Sequence, residues 1–197
     1  MGLGLNGGGL ASALFFSRRG AEVTVTDLRG PEALAASLEK LSGTGARLVL
    51  GRHEESDFAT ADLVVKNPAV RPDSPFLRAA REHGAAVETD LSIFLAAARG
   101  PVIAVTGSKG KSTTASAIAF GLGRADPRAR LGGNITVSPL GFLDDMEEGA
   151  PVVLEMSSWQ LKETAMDPKS RTLLRVALAY EKGTGWKEMH PQLAAGS

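Results

Sequence analysis

The stretch Val102-Ile-Ala-Val-Thr-Gly107-Ser-Lys-Gly110-Lys111-Ser112-Thr113-Thr114 decides the fold. Apolar residues of a buried strand run into a tight glycine turn. The small and apolar residues after Lys111 read as a helix. A strand, a glycine turn and a helix N-terminus in that order form a cradle for a triphosphate. Gly107 and Gly110 let backbone amides turn inward onto phosphate oxygens, and Ser108 and Lys109 complete the turn. The helix aims its positive end at the same place. Lys111 adds a full charge on a flexible stem, the Ser112 hydroxyl is placed to ligate a magnesium ion, and Thr113 follows in the first turn. Val105 stands where the long phosphate-loop formula has a glycine, so this is the short Gly-x-x-Gly-Lys-Ser form. A ligand-free packing turn would need the glycines but not Lys-Ser-Thr.

Working outward, the 43% apolar and 22% charged residues are those of an ordinary globular protein, and 197 residues hold one large or two small domains. Net charge is zero, so no basic excess points to nucleic acid. With no cysteine, disulfides, thiolate zinc sites and a cysteine nucleophile are excluded, and a reducing cytoplasm is expected. His53, His83 and His190 are far apart in sequence and are read as surface or helix-end residues rather than metal ligands. No apolar run approaches the ~20 residues that span a membrane, and no signal peptide is visible.

Before the phosphate loop, periodicity predicts helices over 10–18, 31–41, 75–83 and 90–99, with Gly20 closing the first and Ser74 capping the third. Strands are expected at 22–27, 47–50, 63–66 and 85–88. The alternation implies a mostly parallel sheet covered by helices. Gly100-Pro101 breaks the chain. We therefore expect an α/β protein with a Rossmann-like domain over 1–99 and part of an ATP-binding domain over 100–197. In the second unit a helix runs to about 123, a glycine turn lies at 132–134, and a helix lies near 140–146. Strands follow at 152–156 and 173–179. Beyond 180 no period is visible and a loop or frayed tail is expected.

Three further constellations stand out. Gly2-Leu-Gly4-Leu-Asn-Gly7 fits Gly-x-Gly-x-x-Gly, and Asp27 lies twenty residues on, at a strand end. That is the spacing of a dinucleotide-binding fingerprint, with the carboxylate on a ribose hydroxyl. The same geometry serves any nucleoside diphosphate, or a turn built only for helix packing. The strand that should feed this turn would lie before Met1. Glu155-Met-Ser157-Ser158-Trp159-Gln160 closes an apolar run, where open α/β sheets hold their ligands. Glu155 is placed to hold magnesium opposite Ser112, or simply to end a strand before a serine-capped helix. Gly132-Gly133-Asn134 and Asn67-Pro68 read equally as ligand loops or plain turns.

Taken in order, Thr106-Gly-Ser-Lys-Gly-Lys-Ser-Thr-Thr, Gly132-Gly-Asn134 and Glu155-Met-Ser-Ser-Trp-Gln160 resemble the Mur ligases, the ATP-dependent amide-bond ligases of peptidoglycan synthesis. The opening Gly-Leu-Gly-Leu-Asn-Gly-Gly-Gly, the Val-Thr-Asp27-Leu-Arg29 strand end and Lys66-Asn-Pro-Ala-Val look like the UDP-binding domain of the D-glutamate-adding branch. The resemblance runs to about residue 178. It implies a cytoplasmic, monomeric enzyme that uses ATP and Mg2+. Such an enzyme activates the carboxylate of UDP-N-acetylmuramoyl-L-alanine as an acyl phosphate for attack by D-glutamate. By resemblance Lys111 and Glu155 are catalytic, and Ser112 and Glu155 hold the metal. Leu5, Asn6, Asp27 and Arg29 line the uridine diphosphate site, and Asn134 and Gln160 reach the substrate. Residues after 179 depart from the family pattern, so no metal role is carried to Lys182, Lys187 or His190. The piece is expected to be cut at both ends and inactive alone. A dinucleotide-binding oxidoreductase and a phosphate-loop ATP-binding module without ligase activity are the alternatives.

Overall fold

The computed structural model describes residues 1–4, 7–134, 137–165 and 173–177. Helices and parallel strands alternate, as the hydrophobic pattern demands. The first unit runs α1 (Gly8–Arg18), β1 (Thr24–Asp27), α2 (Pro31–Leu41), β2 (Arg47–Leu50) and α3 (Glu55–Ala59). It continues with β3 (Leu63–Val65), α4 (Pro75–Glu82), β4 (Ala86–Glu88) and α5 (Asp90–Ala97). The second unit contains β5 (Val102–Thr106), α6 (Lys111–Ala125), β6 (Arg130–Gly133), β7 (Val152–Glu155), α7 (Ser158–Ala165) and β8 (Leu173–Ala177). The α/β class is as expected.

The second unit holds one four-stranded parallel sheet in the order β6-β7-β5-β8. All four residues of β7 are buried, which explains its unbroken Val-Val-Leu run. The first unit differs from the single sheet expected. Among the described residues β1 pairs with β2 and β3 with β4, each pair parallel, and no ladder joins the two pairs. A slot of about 630 Å³ separates β1 from β3. Met1 and Gly2 close one end of it, Met1 N–H donating to Val65 O at 2.8 Å and Gly2 N–H to Thr26 O at 2.7 Å.

One core joins the two units. Phe15 of α1 and Leu91, Phe94 and Leu95 of α5 pack with Val102, Ala104, Val152 and Leu154 of the larger sheet. Gly100 is needed where the units meet, since a Cβ there would lie 2.1 Å from the Ala150 carbonyl oxygen.

Several local expectations are corrected. The 132–134 turn begins as strand β6, and the helix expected near 140–146 is two short 3-10 turns, Pro139–Gly141 and Leu143–Asp145. Pro139 and Gly141 are poor interior helix formers. Ser74 precedes α4 without a side-chain cap, whereas Thr89 and Ser92 form a reciprocal capping box on α5. His83 does sit at a helix end, its Nδ1 2.9 Å from Ala79 O. His53 is half-buried rather than fully exposed: it stacks edge-on against Phe58 and Phe76, and burial lowers its pKa. His190 and the stretch beyond 177 lie outside the described residues.

Candidate active site: two nucleotide turns

β5 is apolar and buried, so its C-terminal end is fixed against β7 and β8. The chain leaves it through Gly107 and turns at Gly110, whose φ of +77° puts it in the left-handed region that glycine adopts without strain. α6 then begins with no side-chain cap and no acidic residue in its first turn. Its first amides are thus left for an anion. Lys111 folds its ammonium back onto the loop, donating to Gly107 O at 2.9 Å. Ser108, Lys109, Ser112 and Thr113 are exposed along the same loop and first turn.

The Ser112 hydroxyl donates to Glu155 Oε2 at 2.8 Å. Glu155 is 95% buried, being only 5% exposed at the end of β7. It sits between Val105 of β5 and Gly133 of β6 in the sheet register. Residues 43 apart in sequence are thus joined at one strand edge. Beside them the Thr106 hydroxyl is buried without a hydrogen-bond partner among the described residues.

The structure reads the second glycine pair differently from a ligand loop. Gly133 has φ +94°, and a Cβ there would lie 2.2 Å from Glu155 O. Gly132 would meet the Phe142 ring at 2.9 Å. These glycines let β6 close on the strand that carries Glu155. Asn134 follows with an exposed side chain and its N–H on Glu155 O at 2.9 Å. Gln160 is buried and forms a capping box with Ser157. Its Oε1 accepts from Ser157 N–H at 2.8 Å, and Ser157 Oγ accepts from Gln160 N–H at 3.2 Å. The serine-capped helix is therefore real, and any substrate contact by Gln160 falls to its Nε2.

The other turn lies at the start of the chain. Gly2 and Gly4 both have positive φ, and the Asn67 side chain packs where their Cβ atoms would be, at 2.9 and 2.8 Å. The close approach of helix to turn is made at Gly9. A Cβ on Gly9 would lie 2.4 Å from Gly2 O, while Gly7 faces open space and serves through its φ of +83°. Leu5 and Asn6 lie outside the described residues.

Asp27 does more structural work than its spacing suggests. Its buried carboxylate accepts from Gly4 N–H, Arg29 N–H, Arg29 Nε and Arg29 NH2 at 2.9–3.2 Å. Those donors fill its lone-pair sites. Burial opposes the charge, but Arg29 and the two amides hold the carboxyl below its ordinary value. In this structure those donors hold the oxygens that the expected ribose contact would use. Asp27 fixes the glycine turn and orients Arg29, whose guanidinium is half-exposed.

Ser112 and Glu155 suit a hard divalent cation, since both offer oxygen. Their 2.8 Å separation is close to the ~2.9 Å edge of an octahedron at magnesium–oxygen distances. Among the described residues no group of three His, Cys, Asp or Glu side chains gathers, here or elsewhere. No described helix is long and apolar enough to cross a membrane.

Residues 1–89 match a family described as "Mur ligase MurD-like, N-terminal domain". Curated relatives named UDP-N-acetylmuramoylalanine--D-glutamate ligase include one from Borreliella afzelii, 49% identical over 164 residues. That alignment covers 82% of this chain and 36% of the relative. The relative from Treponema pallidum is 47% identical, covering 90% of this chain and 34% of its own length. That from Roseiflexus is 44% identical, covering 90% and 39%. The chain thus spans little more than a third of the relatives it matches. Among solved structures, a pseudomurein peptide ligase type C from Methanothermus fervidus aligns over 86% of this chain and 35% of its own. Its identity is 21% and its TM-score 0.40.

Proposed function

The chain belongs to the Mur ligase family, and from that premise we propose that it carries the two nucleotide sites of a ligase that adds D-glutamate to UDP-N-acetylmuramoyl-L-alanine. The observation that carries this reading is the Ser112–Glu155 contact at the foot of the phosphate loop. It couples a triphosphate turn to a buried carboxylate, which neither a dinucleotide oxidoreductase nor a bare packing turn requires.

In this reading Arg29, aimed by Asp27, and the N-terminus of α1 hold the uridine diphosphate. The amides of 107–112 and the Lys111 ammonium hold the β- and γ-phosphates of ATP. The short reach from Gly107 O lets Lys111 exchange that carbonyl for phosphate. Ser112 and Glu155 are the ligands offered to Mg2+, with Thr106 Oγ1 nearby as an unspent hydroxyl. ATP supplies the phosphoryl group that activates the substrate carboxylate for attack by the D-glutamate amine. The exposed Asn134 is the residue proposed to meet the substrate beyond the γ-phosphate.

Calorimetry tests this. ATP should bind only with magnesium, and Lys111→Ala should weaken it roughly 10–150-fold, the worth of a charge-assisted contact of about 1.5–3 kcal/mol. UDP-N-acetylmuramoyl-L-alanine should bind in preference to NADH. Unchanged ATP affinity in the variant, or tighter NADH binding, would overturn the reading.

A further inference from the structure

The seam between the two units carries a buried polar link beside the first glycine turn. Ser138 Oγ donates to Asp90 Oδ2 at 2.8 Å, across 48 positions of sequence. Both residues are buried. The same Oδ2 borders α1: a Cβ on Gly8, the first residue of that helix, would lie 3.0 Å from it. One carboxyl oxygen thus meets both the start of α1 and the segment that leads away from Asn134.

Each partner stands on a fixed support. Asp90 opens α5, whose Thr89–Ser92 capping box is closed by hydrogen bonds of 2.8 and 3.1 Å. Ser138 is followed by Pro139, whose ring fixes φ, and by Leu140, buried in the core that the two units share. The other end of the segment is pinned to the larger sheet. Asn134 N–H donates to Glu155 O at 2.9 Å, and Gly133 N–H donates to Val137 O at 2.9 Å. Between these anchorages the Asn134 side chain is exposed. Its place relative to α1 is therefore set by the Ser138–Asp90 bond at one end and by β7 at the other. A side chain that only filled the seam would be apolar, as Phe94 and Leu140 are. A carboxyl stands there instead, although burial opposes its charge.

We propose that Asp90 is a positioning residue for the UDP-linked substrate: through Ser138 it holds Asn134 at a set distance from the N-terminus of α1, so that one ligand reaches both. This rests on the ligase reading, in which the diphosphate lies at α1 and the far end of the same substrate meets Asn134. UDP reaches only the first of these places, and UDP-N-acetylmuramoyl-L-alanine reaches both. Asp90 acts through Asn134, so breaking its bond to Ser138 falls on the longer ligand alone.

Calorimetry on the full chain with the two ligands tests this. The unaltered chain should bind UDP-N-acetylmuramoyl-L-alanine more tightly than UDP. Ser138→Ala and Asp90→Ala should each weaken the longer ligand about 3–10-fold, the worth of one hydrogen bond from Asn134, and change UDP affinity less than about two-fold. Asp90→Asn keeps an acceptor for Ser138 and should retain the affinity. Asn134→Ala should show the same loss, and Asn134→Ala combined with Ser138→Ala should lose no more than either alone. A second measurement needs no substitution: hydrogen exchange at the Gly133 and Asn134 amides should slow with the longer ligand and not with UDP. No loss in Ser138→Ala, an equal loss for both ligands, additive losses in the double variant, a loss in Asp90→Asn, or exchange that ignores the longer ligand would overturn the proposal. An unaltered chain that binds neither UDP compound would instead overturn the ligase reading, and this proposal with it.

Discussion

Gly133→Ala should be among the most damaging single-methyl changes in the molecule. Two costs add at this position. The φ of +94° is one that L side chains avoid, worth about 1–2 kcal/mol. The new methyl would also lie 2.2 Å from Glu155 O and 3.0 Å from Glu155 N. Those atoms belong to the fully buried strand β7, held on its other side by β5. Backbone must move, at about 1–3 kcal/mol for overpacking. Together these give about 2–5 kcal/mol, or a fall in melting temperature of ~5–15 °C for a chain this size. Gly149→Ala separates the two costs, since Gly149 has φ +77° but open space where the methyl would go. It should lose only about 1–2 kcal/mol. Gly30→Ala, at φ −75° with open space, should be neutral or stabilise by up to ~1 kcal/mol. Urea unfolding of the three variants checks the order. If Gly133→Ala costs no more than Gly149→Ala, the close approach of β6 to the Glu155 backbone is wrong.

Other expectations concern titrating groups. Burial raises the Asp90 pKa against the hydrogen bond from Ser138 Oγ at 2.8 Å. The folded state therefore holds that proton more tightly, and stability falls as pH rises from about 3.9 through the folded value. Asp90→Asn keeps an acceptor for Ser138 and should remove the fall; thermal melts from pH 4 to 7 with an unchanged slope would refute this. Asp27 is shifted the other way, so its contribution is full above about pH 3.9 and lost as pH drops through the folded value. Arg29→Ala should move the acid-unfolding midpoint upward, and an unmoved midpoint would count against the pairing. Burial lowers the Met1 amine from 8.0 to about 6, against the pull of Asp27. In protein that retains Met1, stability should rise by up to about 3 kcal/mol between pH 6 and 8, because the unfolded chain binds the extra proton there. N-terminal acetylation should flatten that rise, and an amine titrating near 8 by NMR would exclude it.

What was legible in the sequence was whatever announces itself by period or by glycine followed by charge. The apolar run into Gly107 and Gly110 placed the phosphate loop, and Pro31–Leu41 and Arg47–Leu50 fell where their patterns put them. α3 has a single buried residue, Phe58, over five positions and carries no readable period. β6 was hidden because its glycines look like a turn; they are there for contact with Glu155 and Phe142, which only the folded sheet reveals. At the site, Ser112 lies in the first turn of α6 and Glu155 at the end of β7, and the two side chains meet. Spacing could not show that Asp27 is saturated by Arg29 two residues away, or that Gln160 caps its own helix. Those are local alternatives to ligand binding, and side-chain type does not distinguish them.

The packing of Phe15, Leu91, Phe94 and Leu95 onto the larger sheet has a consequence for cooperativity. Gly100-Pro101 interrupts the sequence pattern, yet the hydrophobic interior runs across it. Exposing those four side chains would forfeit roughly 6–12 kcal/mol of burial, as much as the whole net stability of a typical domain. A cut at residue 100 would therefore leave two unstable halves rather than two small proteins. Heating should show a single transition in which both glycine turns are lost together.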